Sequence, residues 1–224
     1  MTDFFANLFV HVDWKDIGWA SLDTLAMLGG SLALTLLLGL PLGIALFLAS
    51  PRQLLSSPRL YAALSFAVNV LRSLPFVILL IAMIPVTVAL TGTSLGVAGS
   101  IPSLVVAGTP FFARLVESAL REIDHGIIEA SLAMGASTRQ IVTGALLSEA
   151  LPGILAAATV TAIALVSYTA LAGVVGGGGL GDLAIRYGYQ RFQLDVMFIT
   201  VVLLLLIVQA LQSAGQRLVM HFSR

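Results

Sequence analysis

Five apolar runs punctuate the chain, at residues 25–48, 61–90, 95–116, 151–175 and 196–211. Each approaches or exceeds the roughly 20 residues an α-helix needs to cross a bilayer, the last only if it continues toward Val219. The second run is anomalous. It would make about 45 Å of helix, too long for one upright span and too short for two. We expect one tilted span, bent near Arg72-Ser73-Leu74-Pro75 and again at Pro85, because proline removes a helix hydrogen bond. No repeat and no linker divides the sequence. The pattern predicts a single all-α, polytopic membrane domain over residues 1–224, with five transmembrane helices.

Two patterned stretches lie outside the runs. Residues 1–20 carry Phe4, Phe5, Leu8, Phe9, Trp14 and Trp19 in an amphipathic arrangement that suits a helix at the outer interface leading into span one. This stretch holds Asp3, Asp13 and Asp16 and lacks the basic lead and cleavage site of a signal peptide, so it is expected to be retained. The other stretch separates spans three and four. It opens on Arg121-Glu122-Ile123-Asp124 and closes on Ser148-Glu149-Ala150-Leu151-Pro152. Within it Ile127, Ile128, Leu132, Ile141 and Val142 recur at roughly helical spacing, broken by Gly135-Ala136-Ser137. Ser137 and Thr138 can cap a second short helix, which predicts a helix–turn–helix lying against the membrane. Small residues at Ala130, Ala133, Gly135 and Ala136 leave a shallow surface that a soluble partner can approach closely. An ordinary inter-helix loop is the alternative.

Composition agrees with the hydropathy pattern. Of 224 residues, 58% are hydrophobic and 10% charged, and the mean hydropathy is +1.04. Soluble domains run near a quarter charged, so this is a membrane composition. A net charge of zero points to no nucleic-acid partner. Without cysteine there is no disulfide, zinc-thiolate site or thiol catalysis. Five spans put the termini on opposite sides. With the N-terminus outside, Lys15, Arg186 and Arg191 fall outside, and Arg52, Arg59, Arg72, Arg114, Arg121, Arg139, Arg217 and Arg224 fall inside, eight against three. That satisfies the positive-inside tendency and places the polar segment around Glu129 in the cytoplasm.

Few other residues suggest chemistry. Residues 176–179, four glycines, precede Leu180-Gly181-Asp182, not the Lys-Ser/Thr of a phosphate loop, so the chain is not expected to bind ATP. The glycines are read as ending span four and letting a re-entrant outer loop, 182–191, pack closely, either as a flexible loop or with a role in gating. Arg72 is the one charge in the interior of a run, Arg114 lying two residues from the end of the third. Arg72 either snorkels from the inner end of its span or serves the pathway. Arg114, Glu117 and Arg121 share a helix face as a solvated ion-pair ladder. His11, His125 and His221 are scattered without i,i+4 spacing, so neither a metal site nor an intramembrane Ser–His enzyme is expected.

The segment Glu129-Ala130-Ser131, three residues, then Gly135 resembles the EAA motif of binding-protein-dependent ABC importer permeases. The resemblance extends along Leu71-Arg72-Ser73-Leu74-Pro75-Phe76, Gly92-Thr93-Ser94-Leu95-Gly96, Pro110-Phe111-Phe112-Ala113-Arg114, Glu149-Ala150-Leu151-Pro152-Gly153 and Gly178-Gly179-Leu180-Gly181, and it points to the methionine branch. The family's closing Leu-Pro falls on Leu147-Ser148, where the proline is missing, and a second Leu-Pro follows at Leu151-Pro152. The resemblance implies a type I ABC importer permease fold, with residues 122–147 as the coupling segment that docks on a cytoplasmic ATPase. Glu129, Ala130, Ser131, Met134, Gly135 and Ala136 would form its contact surface. It further implies a bacterial inner-membrane homodimer with two ABC ATPase subunits that hold ATP and Mg, an extracytoplasmic methionine-binding protein, and no cofactor or catalytic residue on this chain. Tyr168 and Leu171, on span four, become candidates for the translocation gate, against a bland helix-packing role. An autonomous secondary transporter or channel for a small amino acid is the competing function. No acid lies mid-span to couple an ion gradient.

Overall fold

The computed structural model describes residues 12–223, so Phe4, Phe5, Leu8, Phe9 and His11 lie outside the described residues. All regular structure among them is helical: α1 Trp14–Ala49, α2 Pro58–Ser73, α3 Phe76–Ala82, α4 Ile84–Thr91, α5 Gly96–Arg121, α6 His125–Ala133, α7 Thr138–Gln140, α8 Leu147–Glu149, α9 Leu151–Gly173, α10 Gly179–Leu183 and α11 Leu194–Phe222, with π-helical turns at Ile141–Leu146 and Ala184–Tyr189. Helices α1, α5, α9 and α11 are each long and apolar enough to span a bilayer, and α2 with α3 makes a bent fifth candidate.

The interfacial lead and span one form a single helix. Asp13 caps α1 by accepting hydrogen bonds from the N–H groups of Lys15 (2.8 Å) and Asp16 (3.3 Å), and no break follows until Ser50. Trp14 and Trp19 are exposed on its first turns. The fifth run extends to Phe222, which removes its marginal length.

Helix α1 packs most extensively on α5. Two glycines four apart make the close approach possible. A Cβ on Gly39 would sit 2.8 Å from the Phe112 ring, and one on Gly43 would sit 2.7 Å from the Ala113 carbonyl. Around this seam lie two cores. Phe47, Phe112, Val116, Leu120 and Ala157 gather at one end with Ile128, Ile141 and Leu146 of the inter-span segment. Met27, Leu28, Phe76, Leu80, Leu104 and Leu165 fill the middle.

The second run differs from the tilted span expected of it. The break falls at Leu74–Pro75 as anticipated, but α2 and α3 meet there at 102°. Pro75 supplies no N–H and holds Leu74 extended, at φ −79° and ψ 129°. A second interruption at Met83, just before Pro85, starts α4. The run therefore rises along α5 as α2 and then turns through a right angle.

The glycine run is packed, which removes the flexible-loop reading. Gly178 and Gly179 take φ of +76° and +78°, a region that L side chains rarely adopt. The Leu180 N–H donates to Thr24 Oγ1 at 2.8 Å, and the Gly96 N–H to the Gly176 carbonyl at 2.9 Å. Residues 182–189 continue as helix, where Asp182 pairs with Arg186.

Candidate coupling surface and pathway cavity

The polar segment is a clamped platform. Asp124 caps α6 by accepting a hydrogen bond from the Gly126 N–H at 2.6 Å. At the other end Gly135 has φ +79°, its N–H donates to the Leu132 carbonyl (2.9 Å), and the Ala136 N–H donates to the Ser131 carbonyl (3.0 Å). That bond pair is a Schellman stop, and the left-handed glycine is what permits it. Ser137 then caps the return. Its Oγ accepts from the Gln140 N–H at 3.4 Å, while Gln140 Oε1 accepts from the Ser137 N–H at 2.8 Å. Ile128, Ile141 and Leu146 insert into the core at this end of the bundle, so the segment is packed onto α1, α5 and α9.

The six candidate residues divide between two faces. Glu129, Ala130, Met134 and Gly135 point outward, Met134 with 81% of its surface exposed. Ser131 is buried, 9% exposed, and its hydroxyl donates to the Ile127 carbonyl at 2.7 Å. Ala136 packs partly buried against the core. Leu132 shares the helical spacing of Ile127 and Ile128, yet it is 50% exposed. The short helix rests on the line through Ile128 and Ser131, where the small serine allows close approach, and Leu132 rolls outward. Leu132, Met134, Ala130 and Gly135 form an exposed, largely apolar patch with the Glu129 carboxylate at its edge.

The ion-pair ladder is present, with its carboxylate buried and Arg121 half exposed. Glu117 is 3% exposed and receives Arg114 Nη1 and Arg121 Nη2, both at 2.6 Å. Burial is possible because α2 lies over it. Arg114 Nη2 donates to Asn69 Oδ1 (3.0 Å), the Ser65 carbonyl (3.2 Å) and Ser65 Oγ, and Arg121 Nη2 donates to Tyr61 Oη (3.1 Å). The node fastens α2 along α5.

Those contacts also fix the depth of Arg72. Tyr61 lies at Arg121, Ser65 and Asn69 at Arg114, and the Arg72 guanidinium lies over the Phe111 ring, 5.9 Å from its centroid. Phe111 stands ten residues from the Arg121 end of α5 and fifteen from Gly96, about 15 Å and about 22 Å of helix rise. Arg72 is therefore level with the middle of α5, and its side chain is exposed on this face of the chain. Beside it is a cavity of about 220 Å³ lined by Arg72, Phe76, Phe111 and Tyr168 among others. Tyr168 stacks on Phe76 with ring centroids 4.7 Å apart and planes 10° from parallel. Leu171, the other gate candidate, is exposed one turn further along α9 and does not line this cavity. Sequence reasoning names Phe76 and Phe111 only within family-like blocks and not as residues of a cavity. Their signal was an aromatic immediately after the helix-breaking proline and another directly after Pro110.

Among the described residues no three His, Asp or Glu side chains are placed to share a metal ion.

Comparison with known proteins places this arrangement. Residues 39–221 match the family model described as binding-protein-dependent transport system inner membrane component. The methionine import system permease protein of Bacillus subtilis is 43% identical over 211 residues, covering 94% of this chain and 95% of that protein. The D-methionine transport system permease protein of Escherichia coli is 49% identical over 151 residues, 67% of this chain and 70% of that protein. A solved chain of the methionine ABC transporter MetNI, in an inward-facing conformation, superposes with a TM-score of 0.92 at 45% identity, covering 94% of this chain and 97% of that one.

Proposed function

The chain belongs to the family of binding-protein-dependent transport system inner membrane components, and from that premise we propose that two copies of it form the pathway through which ATP-driven import carries methionine across the membrane. It is a multi-pass permease subunit of the inner membrane, with ATP hydrolysis on a separate subunit. The solved relative is a methionine ABC transporter. By the same reading this chain pairs with itself, docks two ABC ATPases that hold ATP and Mg, and receives methionine, in L or D form, from an extracytoplasmic binding protein.

The observation that carries the reading is the platform at 122–147. It presents Ala130, Leu132, Met134 and Gly135 to solvent while Ile128, Ile141 and Leu146 are locked into the bundle. A push on the outer face is thus transmitted to α1, α5 and α9 as a rigid displacement, because close-packed cores shift between arrangements and do not deform smoothly. With the N-terminus outside, that face lies in the cytoplasm, where ATPase closure would draw two such platforms together and open the bundle outward.

Reconstitution into vesicles tests it. Methionine uptake should require the ATPase, ATP and the binding protein together. Uptake driven by an ion gradient alone would refute the proposal, as would ATP-dependent uptake of other solutes with methionine excluded.

A further inference from the structure

We infer that the cavity at the α2–α3 break is a binding site, within the permease itself, for a zwitterionic amino acid with an apolar side chain; the inference rests on the importer reading above and deepens it.

Three observations converge there. First, the chain breaks level with the middle of α5, with residues 72–75 exposed on the face of the single chain. Backbone without helical hydrogen bonds is tolerated at membrane depth only where protein buries it or a water-filled cavity receives it, and interrupted helices mark substrate sites. Here the interruption opens onto a cavity of about 220 Å³. That is many times the roughly 15 Å³ one water occupies on the same measure, so it accommodates a small solute. Second, Arg72 brings an always-charged fork of five donors to this cavity. Glu117 is taken by Arg114 and Arg121, and the lining carries no carboxylate. The Arg72 guanidinium lies over the face of Phe111. The exposed guanidinium at the cavity is open to a ligand, and a carboxylate matches its bidentate geometry. Third, the break frees an acceptor beside the cation. In a continuous helix the N–H of residue 75 would bond the Leu71 carbonyl, but residue 75 is proline, and no described backbone donor replaces it. Leu71 lines the same cavity.

The recognition chemistry follows. Arg72 takes the α-carboxylate and the Leu71 carbonyl takes the ammonium. Phe111 and the stacked Phe76–Tyr168 pair offer ring surface to an apolar chain, and a thioether suits aromatic faces. With no acid in the lining, a second cationic group on the ligand has no counter-charge.

The test uses the permease–ATPase complex purified without binding protein, with equilibrium binding of radiolabelled L-methionine. The inference expects saturable binding, with competition by L-methioninamide, which lacks the carboxylate, and by N-acetyl-L-methionine, which lacks the ammonium, each weakened at least tenfold. Arg72→Gln should weaken L-methionine binding tenfold or more, and Arg72→Lys, which keeps the charge but loses the fork, should fall between. If Arg72→Gln does not assemble, Phe111→Leu keeps an apolar side chain, removes the ring, and should still weaken binding several-fold. Unchanged binding in Arg72→Gln, equal competition by L-methioninamide, or no saturable binding by the wild type overturns the site. If wild-type complex given its binding protein still imports methionine with ATP, only the site has failed. If it imports none, the importer reading has failed with it.

Discussion

Gly135 separates a docking role from a folding role because the two predict different rankings of the same substitutions. The residue sits at φ +79° as the left-handed stop of α6, and a Cβ added there would meet nothing within 4 Å. The cost to the permease alone is therefore conformational. It is about 1–2 kcal/mol for Ala or Trp, and less for Asn, which visits this region readily. If the glycine serves only the turn, function should rank Gly, then Asn, then Ala and Trp together. If the open space is where the ATPase seats, function should follow size: Gly, Ala, Asn, then Trp. Loss of a tenfold in assembly corresponds to about 1.4 kcal/mol, a modest clash for an indole ring. The assay is co-purification of the ATPase with each variant, with thermal denaturation of the isolated permease to score the turn. Gly135→Trp that folds, binds the ATPase and supports wild-type uptake would refute the docking surface. An order with Asn above Ala would assign the glycine to the turn alone.

Other substitutions probe the remaining parts. Glu117→Ala strands Arg114 beneath α2 and should destabilise the fold by about 3–5 kcal/mol, read as a lowered unfolding midpoint and faster proteolysis between α2 and α5; an unchanged midpoint would mean the node is solvated after all. Gly43→Leu forces a side chain into Val116 and the Ala113 carbonyl and should cost at least the 1–3 kcal/mol typical of overpacking, with reduced membrane yield; normal yield and stability would contradict the close α1–α5 seam. Met134→Asp changes an exposed side chain, so stability should move within about 0.5 kcal/mol while ATPase co-purification falls sharply; retained co-purification would remove Met134 from the interface.

The apolar runs located the long helices because a bilayer-length hydrophobic stretch has few other solutions. Ser137 as a cap and Gly135 as a stop were equally readable, since local hydrogen-bond geometry sets both. What escaped the sequence depended on distant packing. Pro75 announces that α2 ends but not that the chain turns through 102°, which packing of α3 on α5 and α9 decides. Spacing of three and four put Arg114, Glu117 and Arg121 on one face, yet their burial comes from Tyr61, Ser65 and Asn69, 45 to 60 residues away. The depth of Arg72 is hidden for the same reason. Its position in a run left both the inner end of the span and the pathway open, and the pairing of α2 with α5 places it beside Phe111.

The central claim, that residues 122–147 receive the ATPase, is most directly tested by thiol protection. The chain has no cysteine, so Met134→Cys introduces a unique thiol on the exposed turn, and Tyr189→Cys provides an exposed control at the opposite end. Maleimide labelling rates are compared for the isolated permease and for the assembled complex with its ABC ATPase. Docking predicts at least tenfold slower labelling of Cys at 134 in the complex and an unchanged rate at 189. Equal rates at 134 with and without the bound ATPase would contradict the account.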